Sequence, residues 1–364
     1  MKFQRIINKS NSYISYTVLT DDYQVVEPAE TYLSFISNVG RSPNTVRAYA
    51  IALASWFDFL EARNIAWDSD LMIRTLGEYT GSMIRGNHIN NQGKVSRATA
   101  NVALAAIYEF YKFHSHFGIS VIDNITKPNG RRATQYKPLL QDLVVTKRKQ
   151  NLICLPADQP LIKTLTIEQA VAIINAQTRL RNRFLFALLL LTGMRIGQAL
   201  GLRHSDFISR KNTVQIVARD DNANGARAKK SYTGLLGESP ITTDLVHLYS
   251  EYMHVEYGEL DSDYVFVNLW SRPYGRPLTY NAVNDLIIRT RGLVGFHFTA
   301  HQFRHTFATV ARKSGVPIDV LSRLLTHSSV VTTSQIYTHL DADYLRQQMF
   351  DAGVFERLTE KLNK

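Results

Sequence analysis

The sequence predicts a mainly α chain with a small antiparallel β-sheet, an α+β protein of two domains. Apolar residues recur at helical spacing through 27–125 and again from about residue 166 onward. A strand–turn–strand pattern interrupts the second stretch at 213–233, and a segment rich in Pro and basic residues separates the two. With 364 residues, 45% of them hydrophobic, the chain can build two cores.

Residues 1–26 read as an N-terminal extension, with strand-like content over 12–26 that suits a short hairpin around Asp21-Asp22. From 27 to 125 the pattern is a helical bundle. Ser42-Pro43 opens one helix, because Ser caps an N-terminus and Pro suits the first helical position. Val46, Tyr49, Leu53, Trp56, Phe57 and Leu60 then form its apolar face. A second such helix starts at Ser96, with Val102, Ala106, Ile107, Phe110, Tyr111 and Phe113. Residues 126–160 break the pattern with Pro128, Gly130, Pro138, Pro156 and Pro160. Lys127, Arg131, Arg132, Lys137, Lys147, Arg148 and Lys149 make this stretch a basic linker, although a solvated connector has the same composition.

The second domain covers 161–364. Thr166 and Gln169 form a capping-box signature ahead of a helix over Ile167–Ala176. Phe184–Leu191, eight apolar residues, is the longest such run, so it reads as a buried helix and falls far short of the roughly 20 residues that span a bilayer. A turn follows at Thr192-Gly193. Residues 213–218 read as a strand, Asn222–Gly225 as a turn, 226–233 as the returning strand and Tyr264–Val267 as a further strand. Thr299 is the expected cap, and Gly315 the expected end, of a helix that turns Phe303, Phe307 and Val310 towards a core. Tyr344, Leu345, Met349, Phe350, Val354, Phe355, Leu358 and Leu362 make a last apolar helical stripe.

A formal charge of +11 favours a polyanionic partner, either nucleic acid or an anionic membrane surface. Met1–Ser10 is polar and shows no signal peptide, so the expectation is a cytoplasmic, nucleoid-associated protein with no membrane partner. The single cysteine, Cys154, excludes an intramolecular disulfide and a cysteine-built zinc site.

Three stretches of the second domain carry chemistry. In Thr192-Gly-Met-Arg195 the arginine follows a glycine turn at a helix start, where guanidinium and helix N-terminus can face an anion; surface arginines also follow turns. In His301-Gln-Phe-Arg304-His305, His301 and Arg304 share a helix face. His301 and His305 have the i,i+4 spacing of a metal pair, but no Glu lies between them and no cysteine can join them. The third stretch runs from Leu324-Leu-Thr-His327 to Tyr337-Thr-His339. Its tyrosine follows a polar Thr/Ser/Gln run and is flanked by histidines, which is unusual for a packing residue.

Together these stretches resemble the tyrosine recombinase family of phage integrases, chromosome-dimer resolvases and transposon recombinases. The Arg after Thr-Gly, the His-x-x-Arg-His box, the His in a Leu-Gly-His-Ser-like segment and the Tyr ten residues beyond it all occur, in order. Ser42-Pro-Asn-Thr-Val-Arg-Ala-Tyr49 resembles the first helix of the family's DNA-clamping domain. The likeness spans about 27–345 and is strongest to transposon-borne recombinases and transposases. It implies a SAM-like helical DNA-binding domain over 27–125 and a recombinase catalytic domain, with a C-terminal tail helix, over 161–364.

Residue by residue, the resemblance makes Arg195 and Arg304 a phosphate clamp, completed by His301 and His327, and Tyr337 the nucleophile. The family's hairpin lysine falls on Lys229 or Lys230, and likeness to transposon-borne members favours Lys229; Arg219 stands where some relatives place that lysine. Two residues depart from the pattern: Gln198 replaces a frequent acid, and Thr326 a frequent glycine. Expected DNA contacts are Thr45, Arg47 and Arg97 on the helical module and Arg131, Arg132, Lys147, Arg148 and Lys149 on the linker. The partners implied are double-stranded DNA, further copies of the chain in a dimer or tetramer joined through the tail helix, and accessory transposition or integration proteins. No cofactor or metal is expected.

The chemistry suits these residue types. Attack on a phosphodiester adds charge to the non-bridging oxygens, and two arginines offer them paired donors. A fixed donor of that kind is worth about 3–4 kcal/mol. A tyrosine hydroxyl, with a pKa of about 10, needs a base, for which the family suggests His301; the departing 5′ oxygen needs a proton, for which it suggests Lys229. A 3′-phosphotyrosine conserves the bond energy, and the chain shows no Gly-rich nucleotide loop. The alternatives are strand relaxation of the type IB topoisomerase kind and a DNA-binding regulator without activity.

Overall fold

The computed structural model describes residues 1–7, 14–69, 72–86, 94–128, 149–156, 163–227 and 234–326. The chain divides into two compact units, Met1–Pro160 and Leu161–Lys364. As expected, most of the described residues are helical and the strands form small antiparallel sheets.

In the first unit β1 (Lys2–Ile7) pairs antiparallel with β2 (Ile14–Leu19). A tight turn at Asp21-Asp22 follows β2, closed by an antiparallel bridge between Leu19 and Val25. The expected turn is therefore present, but the main strand pair lies upstream of it. Tyr16 and Val18 are buried in the same core as the helices, so β2 packs into the unit.

Four longer helices follow: α1 (Glu27–Asn38), α2 (Pro43–Glu61), α3 (Met72–Arg85) and α4 (Arg97–Ser115). Ser42 Oγ accepts from the Thr45 N–H, and Ser96 Oγ from the Thr99 N–H, each at 3.1 Å, satisfying donors that a helix start leaves unpaired. The α2 and α4 faces meet through Leu53, Trp56, Ile107, Phe110 and Tyr111, each fully buried and each stabilising by about 1.5–3 kcal/mol. The Trp56 indole donates to the Tyr111 hydroxyl, which donates to the Trp67 carbonyl. Val102, expected on the buried face, is 50% exposed. A short α5 (Val121–Ile125) leads into β3 (Thr126–Pro128), which pairs with β4 (Lys149–Asn151). Beyond β4, Ile153 N–H donates to the Tyr108 hydroxyl, and Leu155 exchanges two 2.9 Å bonds with Asn101. Both described ends of the linker are thus hydrogen-bonded to the first unit, not free connectors.

The second unit opens with α6 (Ile167–Asn175), whose capping box joins Thr166 and Gln169 as expected, with Ala176 as its last, capping residue. The apolar run forms α7 (Leu180–Thr192): Phe184, Leu185, Phe186, Leu188 and Leu189 are fully buried. No side chain of its own caps α7; Glu256 accepts from the Leu180 and Arg181 N–H groups instead, placing a carboxylate at the positive end. After α8 (Ile196–Leu200) come the strands β5 (Phe207–Ile208), β6 (Thr213–Ala218) and β7 (Gly234–Pro240), in that order in one antiparallel sheet.

Among the described residues the strand that returns along β6 is β7; of the expected 226–233, Ala226 and Arg227 are not in a strand, and 228–233 lie outside the described residues. Asn224 Nδ2 donates to the carbonyls of Leu200 and Leu278, and Asn222 Nδ2 to that of Ala226. The turn residues are therefore drawn away from β6, and the described pairing of β6 with β7 begins at Ala218–Gly234. Tyr264–Val267 makes isolated bridges at its two ends rather than a ladder strand. The unit continues with α9 (Thr243–Tyr252), α10 (Tyr280–Val294), α11 (Ala300–Lys313) and α12 (Ile318–Leu324). Phe186 stacks on Phe303 at 5.5 Å, seating α11 against α7. Val310, expected inward, is 41% exposed. Among the described residues no helix is long and apolar enough to cross a membrane.

Candidate active site

The site is built where α7 ends. Gly193 takes a left-handed φ of +61° and stops the helix. A Cβ there would lie 2.4 Å from Phe307 Cδ1, so both backbone and space require glycine. Two residues later Arg195 is the N-cap of α8, as the motif suggested. That helix has only five residues, so it adds little to the guanidinium's own charge. Gly197 is a second close approach: a Cβ would meet the Tyr280 hydroxyl at 2.0 Å and the Arg227 carbonyl at 2.5 Å.

Arg304 comes to the same place from α11. It is 1% exposed. Its Nη1 donates to the Gly193 carbonyl at 2.9 Å and its Nη2 to the Leu325 carbonyl at 2.6 Å. Thr306, one position past His305, exchanges hydrogen bonds with the Leu165 backbone and so anchors α11 to the start of the unit. His301 lies on the exposed side of α11, its ring edge-on to that of His305 at 4.5 Å. Burial, followed by the nearby Arg304 charge, holds the His305 pKa below the usual histidine value. Among the described residues no group of three or more His, Cys, Asp or Glu is placed to hold a metal ion.

The two departures from the family pattern meet each other. Gln198 Nε2 donates to Thr326 Oγ1 at 2.8 Å, Gln198 Oε1 accepts from the Arg195 N–H at 2.8 Å, and Arg195 Nη1 lies 3.4 Å from Thr326 Oγ1. Sequence reasoning noted both residues without seeing this pairing, because they stand 128 positions apart. Arg219 is committed elsewhere: its Nη1 and Nη2 donate to the two Asp206 oxygens at 2.8 and 2.5 Å.

Of the sequence-derived site residues, the structure brings together Arg195 and Arg304, with His301 on the same helix as Arg304. Lys229, Lys230, His327, Tyr337, His339 and the apolar tail stripe lie outside the described residues, as do Arg131, Arg132, Lys147 and Arg148. In the first unit Thr45 Oγ1 is bonded to Ser42 Oγ at 2.9 Å within the helix cap. Arg47 is exposed, its guanidinium 5.8 Å from the Phe3 ring centre, and Arg97 is exposed, reaching the Pro156 carbonyl at 3.5 Å. Lys149 belongs to β4.

Residues 163–343 match the phage integrase family, and residues 29–118 match the phage integrase N-terminal SAM-like domain. Transposase A from transposon Tn554 of Staphylococcus aureus is 31% identical over 358 residues, covering 96% of this chain and 97% of the transposase.

The chain belongs to the phage integrase family.

It is accordingly a tyrosine recombinase, an enzyme of site-specific recombination. Another family member, tyrosine recombinase XerA of Thermococcus onnurineus, is 25% identical over 340 residues, 93% of this integrase-family chain and 98% of XerA. Solved structures agree in fold. The Tn1549 transposon integrase, in complex with a circular intermediate DNA, aligns at a TM-score of 0.60 and 17% identity, over 89% of this chain and 99% of that one. The XerH site-specific recombinase, bound to its difH substrate, aligns at 0.58 and 19%, over 89% and 84%.

Proposed function

We propose that this recombinase cuts and rejoins duplex DNA through a 3′-phosphotyrosine at Tyr337. Arg195 and Arg304 hold the scissile phosphate, His301 and His327 complete the pocket, and Lys229 protonates the departing 5′ oxygen. The observation that carries this reading is the placement of Arg304, which ties the Thr-Gly-x-Arg turn at Gly193 to Leu325, two positions before His327. Three motif segments separated in sequence thus converge on one guanidinium. Such convergence serves phosphoryl transfer, where catalysis is mainly positioning and charge stabilisation. The commitment of Arg219 to Asp206 supports the reading that the lysine role falls to Lys229 rather than to the Arg219 position.

DNA is the partner in this reading, supported by the basic charge and by the DNA complexes of the Tn1549 integrase and XerH. Thr45, Arg47 and Arg97 on the helical domain (27–125), with Arg131, Arg132, Lys147, Arg148 and Lys149 of the basic stretch (126–160), would contact backbone phosphates, which position a protein without reading sequence. The tail stripe would join copies of the chain into a dimer or tetramer on DNA, with accessory transposition or integration proteins as further partners.

The test is a nicked duplex carrying a recombination site selected from a random library. With excess EDTA present, the protein should become covalently joined to the fragment bearing the 3′ phosphate and release a free 5′ hydroxyl. Linkage to the 5′ side, or cleavage that strictly requires added Mg²⁺, would overturn the reading.

A further inference from the structure

Thr326 is a β-branched residue with φ of +51°, a conformation such residues avoid and one that persists only where the surroundings impose it. Here the surroundings are specific. Thr326 and Gln198 are each 4% exposed, and their side chains are bonded to each other. Gln198 also takes the Arg195 N–H, while Thr326 Oγ1 faces Arg195 Nη1 at 3.4 Å. The three residues close a ring: backbone of Arg195 to Gln198, Gln198 to Thr326, Thr326 back to the guanidinium of Arg195.

Both partners in that ring are neutral. A carboxylate in the same place would orient Arg195 equally well but would oppose its positive charge. An amide and a hydroxyl orient the group without adding a countercharge of their own. Breaking either link would leave a buried donor unmatched and free the guanidinium to move, and small misplacements of a positioned group are expensive in rate.

We infer that Gln198 and Thr326 are positioning residues that aim Arg195 at the scissile phosphate. This rests on the reading of Arg195 as a phosphate ligand, and the test separates the two claims. Single-turnover cleavage is measured at saturating DNA on an ordinary site and on one whose scissile group is a methylphosphonate, in which a methyl group replaces one non-bridging oxygen and removes the negative charge. Thr326→Val removes only the hydroxyl. It should slow cleavage of the phosphodiester about ten- to a hundredfold, yet cleave the methylphosphonate at the wild-type rate, and Thr326→Ser should restore the phosphodiester rate. If Thr326→Val does not fold, Gln198→Leu is read in the same way. Wild-type rates on the phosphodiester, or equal slowing on both substrates, would overturn the proposal. Arg195→Ala is the control: if it alone is relieved on the methylphosphonate, the positioning role fails and the Arg195 reading stands. If Arg195→Ala is slowed equally on both substrates, the Arg195 reading fails and takes the proposal with it.

Discussion

Arg304 donates from Nη1 to the carbonyl of Gly193 at 2.9 Å, joining residues 111 positions apart, and its Nη2 reaches Leu325 as well. One buried guanidinium therefore serves both the architecture and the proposed chemistry. Lysine keeps the charge but not the planar fork. Arg304→Lys should leave at least one buried carbonyl unpaired, costing about 1–3 kcal/mol. Thermal unfolding should show a lower midpoint, and cleavage should be lost. An unchanged midpoint would mean that these two bonds do not hold the segments together.

Gly193→Ala should be among the most damaging single-methyl changes in the second unit. The left-handed backbone costs a residue with a Cβ about 1–2 kcal/mol, and the clash with Phe307 adds about 1–3 kcal/mol of overpacking. Phe307→Ala in the same chain should recover the clash but not the backbone cost. Denaturant unfolding of both variants checks this; full recovery by Phe307→Ala would show that φ at Gly193 is unimportant.

The legibility of the fold follows the range of the forces involved. Helix starts at Ser42, Ser96 and Thr166 were readable because a cap is made within three residues. The core helix at Phe184–Leu191 was readable from its apolarity alone. That Ala226 and Arg227 lie outside a strand is not legible locally, because Asn224 bonds to Leu200 and Leu278, partners that no local pattern reveals. Val102 and Val310 fit the apolar period of their helices yet are 50% and 41% exposed, because periodicity alone does not say which flank of a face is covered. In the site, Arg195 and Arg304 stood out by motif, whereas the Gln198–Thr326 bond depends on tertiary contact.

His114 is held below the usual histidine pKa by burial, only partly offset by its bond to the Pro28 carbonyl. A depressed histidine binds protons less readily folded than unfolded. Its contribution to stability is therefore complete above the unfolded pKa of about 6.5 and is lost as pH falls from there through the folded value. The first unit should lose stability over that window, and His114→Gln should flatten the loss. Unfolding midpoints between pH 7.5 and 5, a range of about two and a half units around that pKa, measure this; an identical pH profile for the variant would contradict the assignment.

Lys229→Ala should slow cleavage far more than Lys230→Ala. A 5′-thiol leaving group needs little protonation, so it should largely restore the Lys229 variant if that residue is the acid. Failure of the thiol to help would leave Lys229 as a phosphate contact, and the reverse ranking would move the role to Lys230.

Covalent trapping on a nicked suicide duplex measures directly whether Tyr337 becomes joined to DNA. The wild-type protein should accumulate a denaturation-resistant protein–DNA adduct. Tyr337→Phe, which loses only the hydroxyl, should form none while binding the same duplex with nearly unchanged affinity. An adduct that persists in Tyr337→Phe would show that another residue is the nucleophile.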